Sequence, residues 1–299
     1  MMSKTEAAAV CASCGKSECD DITLKKCGAC DLVRYCGVEC QRNHRPQHKQ
    51  ECKKRASELK DELLFKQPES TCYGDCPICL LPIYFPISQD TVKSTLYECC
   101  SKIVCDGCNY ANYMREREAR LPPSCPFCRT PEPKTEEETN LNIMKRVEAN
   151  DPEALNVVGM SHFDKGDYAT AFEYWEKAVG LGHFDSHYHL SCMYYEGRGV
   201  ERDMKRHVYH KEQAAIGGHP IARHNLGKWE WKAGNKDKAV KHWTIAANLG
   251  FDPSVDVLKM CYQGGVVNHD DFTAALRAHQ AAVDATKSPQ RDAAEAAKK

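Results

Sequence analysis

The apolar positions in the second half of the chain recur at a helical spacing and with a long period. Two segments share the positions of a glycine, two alanines and a tryptophan, and they read GDYATAFEYWEKA over residues 166–178 and GNKDKAVKHWTIA over residues 234–246. Apolar side chains three or four positions apart lie on one face of a helix. Ala/Leu-rich segments end at glycines that recur at similar intervals, namely Gly182, Gly218 and Gly250. Periods of this length predict an array of stacked helix pairs, a solenoid.

Each copy of this repeat is expected to be one pair of helices. Trp175 and Trp243 would fill the gaps between pairs, while the small side chains of Ala178 and Ala246 would let two backbones approach. The glycine that ends a copy is expected to adopt the left-handed conformation of a helix cap. The last copy is degenerate and is expected to cap the stack. The four copies begin near Asp151, Asp185, His219 and Asp252.

Several histidines and aromatic residues lie within the repeats and could suggest a site there. The histidines fall in several predicted helices without a supporting carboxylate cluster, so packing is the favoured interpretation over metal binding. The aromatic residues are likewise interpreted as packing between helices. These residues are His183, His187, His189, His207, His210, Tyr194, Tyr195, Trp229 and Trp231.

Composition adds a strong asymmetry to this pattern. The chain has 299 residues and 19 cysteines, and all cysteines except Cys192 and Cys261 precede residue 129. With 41 basic and 42 acidic residues the formal net charge is -1, which makes a nucleic-acid partner unlikely on bulk charge alone. The N-terminal region has only the short apolar run at residues 7–10, and the chain lacks an apolar stretch of membrane-spanning length. We therefore expect a cytoplasmic or nuclear chain whose thiols bind metal rather than form disulfides.

Changes in composition predict the boundaries of the domains. The run TPEPKTEEE at residues 130–138 combines turn residues with acidic residues, as is typical of a linker. Alternating basic and acidic residues at 49–66 are interpreted as a solvated helix with ion pairs between successive turns. The predicted order is a first finger at 11–52, a linker helix at 53–71, a second finger at 72–130, an acidic linker leading into the first helix at 131–150, helical repeats at 151–284 and a polar tail at 285–299.

The first finger offers eight metal ligands at spacings that suit tetrahedral zinc. Two cysteines separated by two residues can both reach one ion, and groups four positions apart lie on one helix face. The candidate ligands are Cys11, Cys14, Cys27, Cys30, Cys36, Cys40, His48 and Cys52. Pro46 should break a straight helix through this region near Arg45, which would place His48 and Cys52 on a second helix. His44 would then be a packing or capping residue.

These residues resemble a MYND finger. The run YCGVECQ at residues 35–41, followed by His44, His48 and Cys52, carries the resemblance. The resemblance implies an interleaved pairing, with Cys11, Cys14, Cys36 and Cys40 on one zinc and Cys27, Cys30, His48 and Cys52 on the other.

MYND fingers usually bind short proline-containing peptides, so the resemblance also implies a peptide partner. The sequence departs from the usual pattern at Gly37, where serine is usual, and at Arg45, where tryptophan is common. Arg45 changes the usual aromatic contact with the peptide. Some MYND fingers lie within SET-domain methyltransferases, but the sequence lacks a SET-like catalytic motif, so that activity is not expected.

The second finger contains eight further cysteines, enough for two zinc sites. Lys102 stands where a histidine ligand would follow Cys100, and an ammonium group cannot bind a metal. We expect Cys99 to be the third ligand, with Cys72 or a water molecule as the alternatives. The candidate ligands are Cys76, Cys79, Cys99, Cys100, Cys105, Cys108, Cys125 and Cys128.

This order of cysteines resembles a RING finger of the eight-cysteine type. The resemblance implies that the first and third pairs share one zinc and the second and fourth pairs share the other. It also implies that Ile78 and Pro126 contact a ubiquitin-conjugating enzyme and that Arg129 contacts ubiquitin. The alternative is that Ile78 and Pro126 only pack the finger and that Arg129 is a surface cation.

The repeats resemble Sel1-like repeats, which are related to tetratricopeptide arrays and bind proteins. The expected fold class is multi-domain, with two small zinc-stabilised fingers of little regular structure followed by an all-α helical solenoid. About four zinc ions are expected. The favoured function is a RING-type ubiquitin ligase, in which the MYND finger or the solenoid recruits a protein substrate. The alternative is a non-catalytic adaptor that binds proline-containing peptides. The sequence leaves the oligomeric state open.

Overall fold

A computed structural model describes residues 9–19, 21–84 and 93–298 of the chain. It divides into two compact units, with the boundary between Lys66 and Gln67. The expected fold class is confirmed, because Cys-rich fingers with few strands precede an all-helical region. Some residues used above lie outside the described ones. They are residues 1–8, which enter the expectation about localisation, residues 85–92 of the second finger and residue 299 of the tail. Across the described chain, no helix is long and apolar enough to span a membrane.

The first unit consists of a short hairpin and one long helix. Strands β1 (Lys25–Lys26) and β2 (Arg34–Tyr35) pair antiparallel, and α1 (Val38–Leu64) follows. The buried core is small, since it consists of Leu24, Tyr35 and three of the cysteines. A core of this size needs an additional source of folding free energy.

Helix α1 corrects the expected break at Pro46. It runs without interruption from Val38 to Leu64, so His48 and Cys52 do not lie on a separate second helix. Residues 53–64 of the expected linker helix at 53–71 form the last part of α1. Pro46 removes the hydrogen bond to the carbonyl group of Arg42. Both residues are exposed, so water can satisfy that carbonyl group, and the helix tolerates the proline.

The second unit begins with the second finger. Strands β3 (Ser94–Tyr97) and β4 (Lys102–Cys105) form an antiparallel hairpin, and α2 (Asp106–Ala119) continues directly from β4. The buried core combines cysteines with a few larger side chains, Ile83, Tyr97 and Val104. The hairpin and helix therefore present cysteines from a minimal apolar scaffold.

A series of further helices fills the rest of the described chain, and most of them are of equal length. The acidic run expected to be a linker begins α3, where Thr135 caps the first turn and three glutamates favour the positive end of the helix dipole. The helices are α3 (Glu136–Glu148), α4 (Pro152–Asp164), α5 (Tyr168–Gly180), α6 (Phe184–Glu196), α7 (Met204–Ile216), α8 (Pro220–Lys232), α9 (Lys236–Asn248), α10 (Asp252–Gln263), α11 (His269–Ala285) and α12 (Pro289–Ala296).

Helices α4 to α11 form the four expected pairs, and each pair packs on the next. The turns between pairs contain Gly182, Gly218 and Gly250, whose φ angles of 85°, 83° and 83° lie in the left-handed region. A side chain would resist that conformation. The glycine period that predicted the repeat therefore has a direct conformational cause.

Each of the two tryptophans packs on a glycine that the sequence analysis missed. Trp175 on α5 packs on Gly159 of α4, where a Cβ atom would lie only 2.6 Å from the indole nitrogen. Gly227 and Trp243 repeat this arrangement at 2.5 Å. Trp175 also stacks on His189 of the next pair, with ring centroids 4.6 Å apart. Each tryptophan therefore packs on a glycine within its own pair and also contacts the next pair, as expected.

The second finger and the repeats belong to the same compact unit. The backbone N–H of Cys72 donates to the carbonyl oxygen of Gly218 at 3.2 Å. A Cβ atom on Gly218 would lie 2.3 Å from the carbonyl oxygen of Ser70, so a side chain there would displace this segment. Arg146 on α3 donates to the hydroxyl group of Ser101 in the β3–β4 turn at 3.4 Å. The finger is thus attached directly to the helical array.

The packing of Trp175 on Gly159 gives a first testable prediction. Replacing a helical glycine by alanine normally stabilises a helix, but Gly159→Ala should destabilise the array by about 1–3 kcal/mol because the methyl group overlaps the indole ring. Unfolding in urea, followed by helical circular dichroism, measures the change.

Gly180→Ala is the matched control, because Gly180 lies at the end of α5 with nothing within 4 Å of its added Cβ atom. It should be neutral or stabilising by about 0.5 kcal/mol. Equal unfolding midpoints for the two variants would contradict the close packing of Trp175 on Gly159.

Candidate metal centres

The structure brings the sixteen candidate ligands together in four sets of four. Within each set the ligand atoms all lie within 4.8 Å of one another. The sets coincide with the interleaved pairing implied by the two resemblances. They are Cys11, Cys14, Cys36 and Cys40; Cys27, Cys30, His48 and Cys52; Cys76, Cys79, Cys105 and Cys108; and Cys99, Cys100, Cys125 and Cys128.

Four of the cysteine pairs lie in backbone turns of the same type. In each turn the residue after the second cysteine has a positive φ angle and donates its N–H to the carbonyl oxygen of the first cysteine, at 2.8 to 3.0 Å. This conformation costs a non-glycine residue about 1–2 kcal/mol. The residues are Gly15, Asp31, Leu80 and Arg129. Only one is glycine, so the sequence analysis could not recognise the shared turn from composition.

The distances between sulfur atoms fit tetrahedral zinc. A zinc–sulfur bond of about 2.3 Å places neighbouring sulfurs of a tetrahedral site about 3.8 Å apart. The sulfurs of Cys27 and Cys52 are 3.8 Å apart, and those of Cys79 and Cys105 are 3.7 Å apart. All cysteines of the described residues are free thiols. The four clusters therefore agree with the expected count of about four zinc ions.

The pKa values of the thiols also indicate that a bound cation would stabilise each cluster. In each cluster one thiol has a lowered pKa. A hydrogen bond from Cys105 is the largest cause that lowers the pKa of Cys76 to about 4. Hydrogen bonds that the Cys36 thiol donates to Cys40 and Cys14 raise its pKa to about 12. Ionising the first thiol thus hinders ionisation of its neighbours, and a divalent ion offsets this repulsion.

The other thiols with a lowered pKa follow the same pattern in the remaining clusters. Burial acts to raise the pKa of Cys11, but backbone N–H groups around its sulfur lower it to about 6. Burial likewise opposes the lowered pKa of Cys27, which is about 7, and of Cys128, which is about 6. For Cys128, hydrogen bonds with Thr130 are the main causes that lower it. Donors that stabilise one thiolate are therefore already in place at each site.

In the first finger, the uninterrupted helix α1 supplies both sites. Cys40 belongs to one cluster, and His48 and Cys52 belong to the other. Cys40 and His48 are separated by about 12 Å along the helix axis. The Nε2 atom of His48 lies 3.1 Å from the sulfur of Cys30. One helix therefore links two candidate zinc sites without a break.

His44 lies outside both clusters, as expected for a packing residue. Its Nδ1 atom lies 3.0 Å from the hydroxyl oxygen of Tyr35, and its ring stacks on that of His48 with centroids 5.7 Å apart. The hydrogen bond with Tyr35 holds the ring of His44, which in turn packs on the ring of His48. His44 thus orients a candidate ligand from the preceding turn of α1.

In the second finger, the structure distinguishes the alternatives for the third ligand. The sulfur of Cys99 lies 3.3 Å from that of Cys128, and the sulfur of Cys100 lies 3.8 Å from that of Cys125. A left-handed residue, Ser101, tightens the turn after the adjacent pair. Cys72 belongs to the segment on Gly218 and to none of the four clusters.

The three candidate contact residues of the second finger differ in accessibility. Ile78 is 42% exposed, whereas Pro126 is buried. Arg129 donates from its guanidinium group to the side-chain oxygen of Asn112 on α2. Phe127, next to Pro126, is 44% exposed and was missed by the sequence analysis.

The histidines of the repeats form hydrogen bonds between helices. His183 and His219 cap α6 and α8, and their Nε2 atoms each lie 3.1 Å from a carboxylate oxygen, of Glu153 and Asp185 respectively. Burial lowers the pKa of His210 to about 4, so its ring is neutral at physiological pH. Among the described residues, the four Cys-rich sets are the groups that could hold a metal ion.

A family profile and two curated proteins match parts of the chain. The MYND finger family profile matches residues 11–52, so the first finger is a MYND-type zinc finger. The chain is 25% identical over 167 residues to "DAP3-binding cell death enhancer 1" of Rattus norvegicus, covering 42% of this chain and 33% of that protein. The Mus musculus protein of that name is 25% identical over 178 residues, covering 46% and 35%. The chain thus spans about a third of the length of these curated relatives.

Two solved structures are similar to the chain over part of its length. A Sel1 repeat protein from Oxalobacter formigenes has a TM-score of 0.41 and 19% identity, covering 60% of this chain and 72% of that chain. The protein c5321, a protective antigen of uropathogenic Escherichia coli with an SLR fold, has a TM-score of 0.38 and 22% identity, covering 48% and 33%.

The choice between Cys99 and Cys72 as a zinc ligand of the second finger gives a second prediction. Metal analysis of the full chain should find about four zinc ions per chain, one for each tetrahedral cluster. Cys99→Ser should lower the content toward three, because one of the four thiolates of that site is lost. Cys72→Ser is the control and should retain four. A loss of zinc in the Cys72 variant with none in the Cys99 variant would reverse the assignment.

Proposed function

We propose that this zinc-binding protein-interaction protein is a RING-type ubiquitin ligase. The second finger would recruit a ubiquitin-conjugating enzyme, and the MYND finger or the helical repeats would recruit a protein substrate. The observation that carries the proposal is the second finger itself, in which two interleaved four-thiol clusters flank α2 and Ile78 remains exposed on the first zinc turn. An exposed aliphatic residue in that turn is the contact implied by the resemblance to RING fingers.

Such a finger would perform no bond chemistry of its own. Its contribution would be to hold the ubiquitin-loaded enzyme in a reactive orientation, and orientation alone can supply a large part of a rate enhancement. The attachment of Ser70 and Cys72 to the turn at Gly218 supports this role. A substrate bound by the repeats would then lie at a constant distance from the finger.

The first finger provides a separate cleft that would suit a short peptide. It lies beside the second zinc cluster and has a basic edge formed by Arg45, Lys49 and Lys53 of α1, while Tyr35 and Ala29 contribute to its wall. Basic side chains on one rim favour a segment that carries acidic residues. We infer that this cleft binds proline-containing peptides with neighbouring acidic residues.

A non-catalytic adaptor is the second candidate, and two observations favour it. Pro126 is buried, and Arg129 is already hydrogen-bonded to Asn112, so neither is presented as freely as a ligase would require. The name of the curated relatives describes a binding protein, which is compatible with an adaptor. In this role the zinc sites would stabilise the fingers, and the chain would only connect its partners.

Reconstituted autoubiquitination separates the two candidates. The full chain should form ubiquitin conjugates with at least one member of a panel of conjugating enzymes. Ile78→Ala should reduce the rate about tenfold or more, because a central apolar contact typically contributes more than about 1 kcal/mol. Leu276→Ala, at an exposed leucine of α11, is the matched control and should leave the rate unchanged.

The absence of conjugates with every enzyme of the panel would exclude the ligase proposal and favour the adaptor. Conjugates that form equally well with Ile78→Ala would show that the second finger contacts the enzyme in another way.

Peptide binding to the first finger gives a separate prediction. Arg45→Glu combined with Lys49→Glu should weaken binding of an acidic proline-containing peptide at least tenfold, because attraction becomes repulsion. Arg42→Glu, an exposed change on α1 outside the cleft, is the control for added negative charge. Fluorescence anisotropy at two salt concentrations measures the affinities. Unchanged affinity in the double variant would exclude this cleft as the peptide site.

A further inference from the structure

Helix α12 packs on the second finger and brings one arginine to its first zinc cluster. The guanidinium group of Arg291 donates to the carbonyl oxygens of Pro82 at 2.7 Å and Leu81 at 3.1 Å. It also lies 3.6 Å from the sulfur of Cys79, one of the four candidate ligands. The arginine and the finger are separated in the chain by the whole helical array, so their contact is a tertiary feature of the fold.

A glycine in the finger leaves room for this arginine. Gly107, at the start of α2 between two ligands, faces Arg291 directly. A Cβ atom at this position would lie 2.7 Å from both the backbone nitrogen and the Cγ atom of Arg291. Two further ion pairs hold the same helix, between Lys298 and Asp106 at 2.6 Å and between Lys93 and Glu295 at 3.2 Å. The close approach of α12 therefore depends on a glycine in the zinc-binding segment.

Helix α12 is too short to be stable in isolation and depends on tertiary contacts. It has eight residues, and isolated helices shorter than about 12 residues are marginal in water. The apolar side chains of α12 are alanines, of which Ala294 is buried. Alanine burial releases little free energy. The two ion pairs are largely exposed and contribute at most about 1 kcal/mol each. The part-buried hydrogen bonds of Arg291 are therefore the main polar contacts of the docked helix.

The charge of the cluster explains why an arginine is suited to this position. Four thiolates around one zinc ion carry a formal charge of about −2. Donors to ligand sulfurs and nearby cations stabilise such a site, and outer hydrogen bonds of this kind affect metal affinity strongly. Arg291 is always charged and donates in several directions at once. It can therefore donate hydrogen bonds to the Cys79 sulfur and to the carbonyl oxygens of the adjoining loop at the same time.

We propose that Arg291 is a positioning residue for the zinc ion held by Cys76, Cys79, Cys105 and Cys108, and that docking of α12 and retention of this ion are coupled. The coupling is reciprocal: the docked helix raises the affinity for zinc by the same factor by which bound zinc favours docking. This proposal concerns zinc retention alone and does not depend on the ligase activity.

Site-resolved thiol alkylation tests the first half of the coupling. The zinc-loaded full chain is challenged with a chelator and an alkylating reagent, and mass spectrometry follows each cysteine. In Arg291→Ala the cluster containing Cys79 should lose zinc at about tenfold lower chelator concentration, in the range typical of lost outer hydrogen bonds. The cluster containing Cys125, in the same finger, is the internal control. Arg277→Ala, at an exposed arginine of α11, is the matched variant.

The result that supports the proposal is selective loss from the Cys79 cluster. Equal protection in Arg291→Ala and Arg277→Ala would overturn it. Parallel loosening of both clusters of the finger would also overturn it, because that would mean general destabilisation instead of a local role. Arg291→Lys retains the charge without the forked donors and should give an intermediate shift.

Hydrogen exchange tests the reverse direction. In the zinc-loaded wild-type chain, the backbone amides of α12 should be protected. Cys79→Ser should abolish that protection while the amides of α8 and α9 retain theirs. Unchanged exchange in α12 after loss of this one zinc site would contradict the coupling, whatever the outcome of the ligase assay.

Discussion

Repulsion among closely spaced thiolates is the constraint on which both fingers depend. Each finger has few large buried side chains, such as Leu24 and Tyr35 in the first and Ile83 and Val104 in the second. Apolar burial of this extent is insufficient for a stable small domain. Binding of a divalent ion turns the repulsive cysteine clusters into the main source of folding free energy. The helical array needs no such ion, because alanine, glycine and tryptophan pack its interior.

The features that could be predicted from sequence are the local ones. Ligand spacings indicated which neighbouring groups can share an ion, and the two resemblances implied how these pairs combine into four clusters. The period of the glycines likewise revealed the helix pairs. The break expected at Pro46 was wrong, because whether a proline interrupts a helix depends on the exposure of the carbonyl group that it leaves unpaired, here that of Arg42.

Other features depended on tertiary structure that local patterns do not encode. Leu80 and Arg129 adopt left-handed conformations because backbone hydrogen bonds of the zinc turns require them, although neither residue favours that region. The sequence identified residues 285–299 only as a polar tail, yet Arg291 places this tail against the second finger. The attachment of Ser70 at Gly218 was similarly hidden, since the same glycine already had a sufficient local explanation as a helix cap.

The contact between a glycine and a tryptophan shows that the array alternates between two kinds of helix pair. Gly159 and Trp175 recur at one common interval as Gly227 and Trp243, whereas the intervening pair, α6 and α7, contains neither residue type. The true period of the packing is therefore two pairs, twice the period of the glycine turns. A duplication of one pair would therefore place two pairs of the same kind side by side, an interface that does not occur among the described helices.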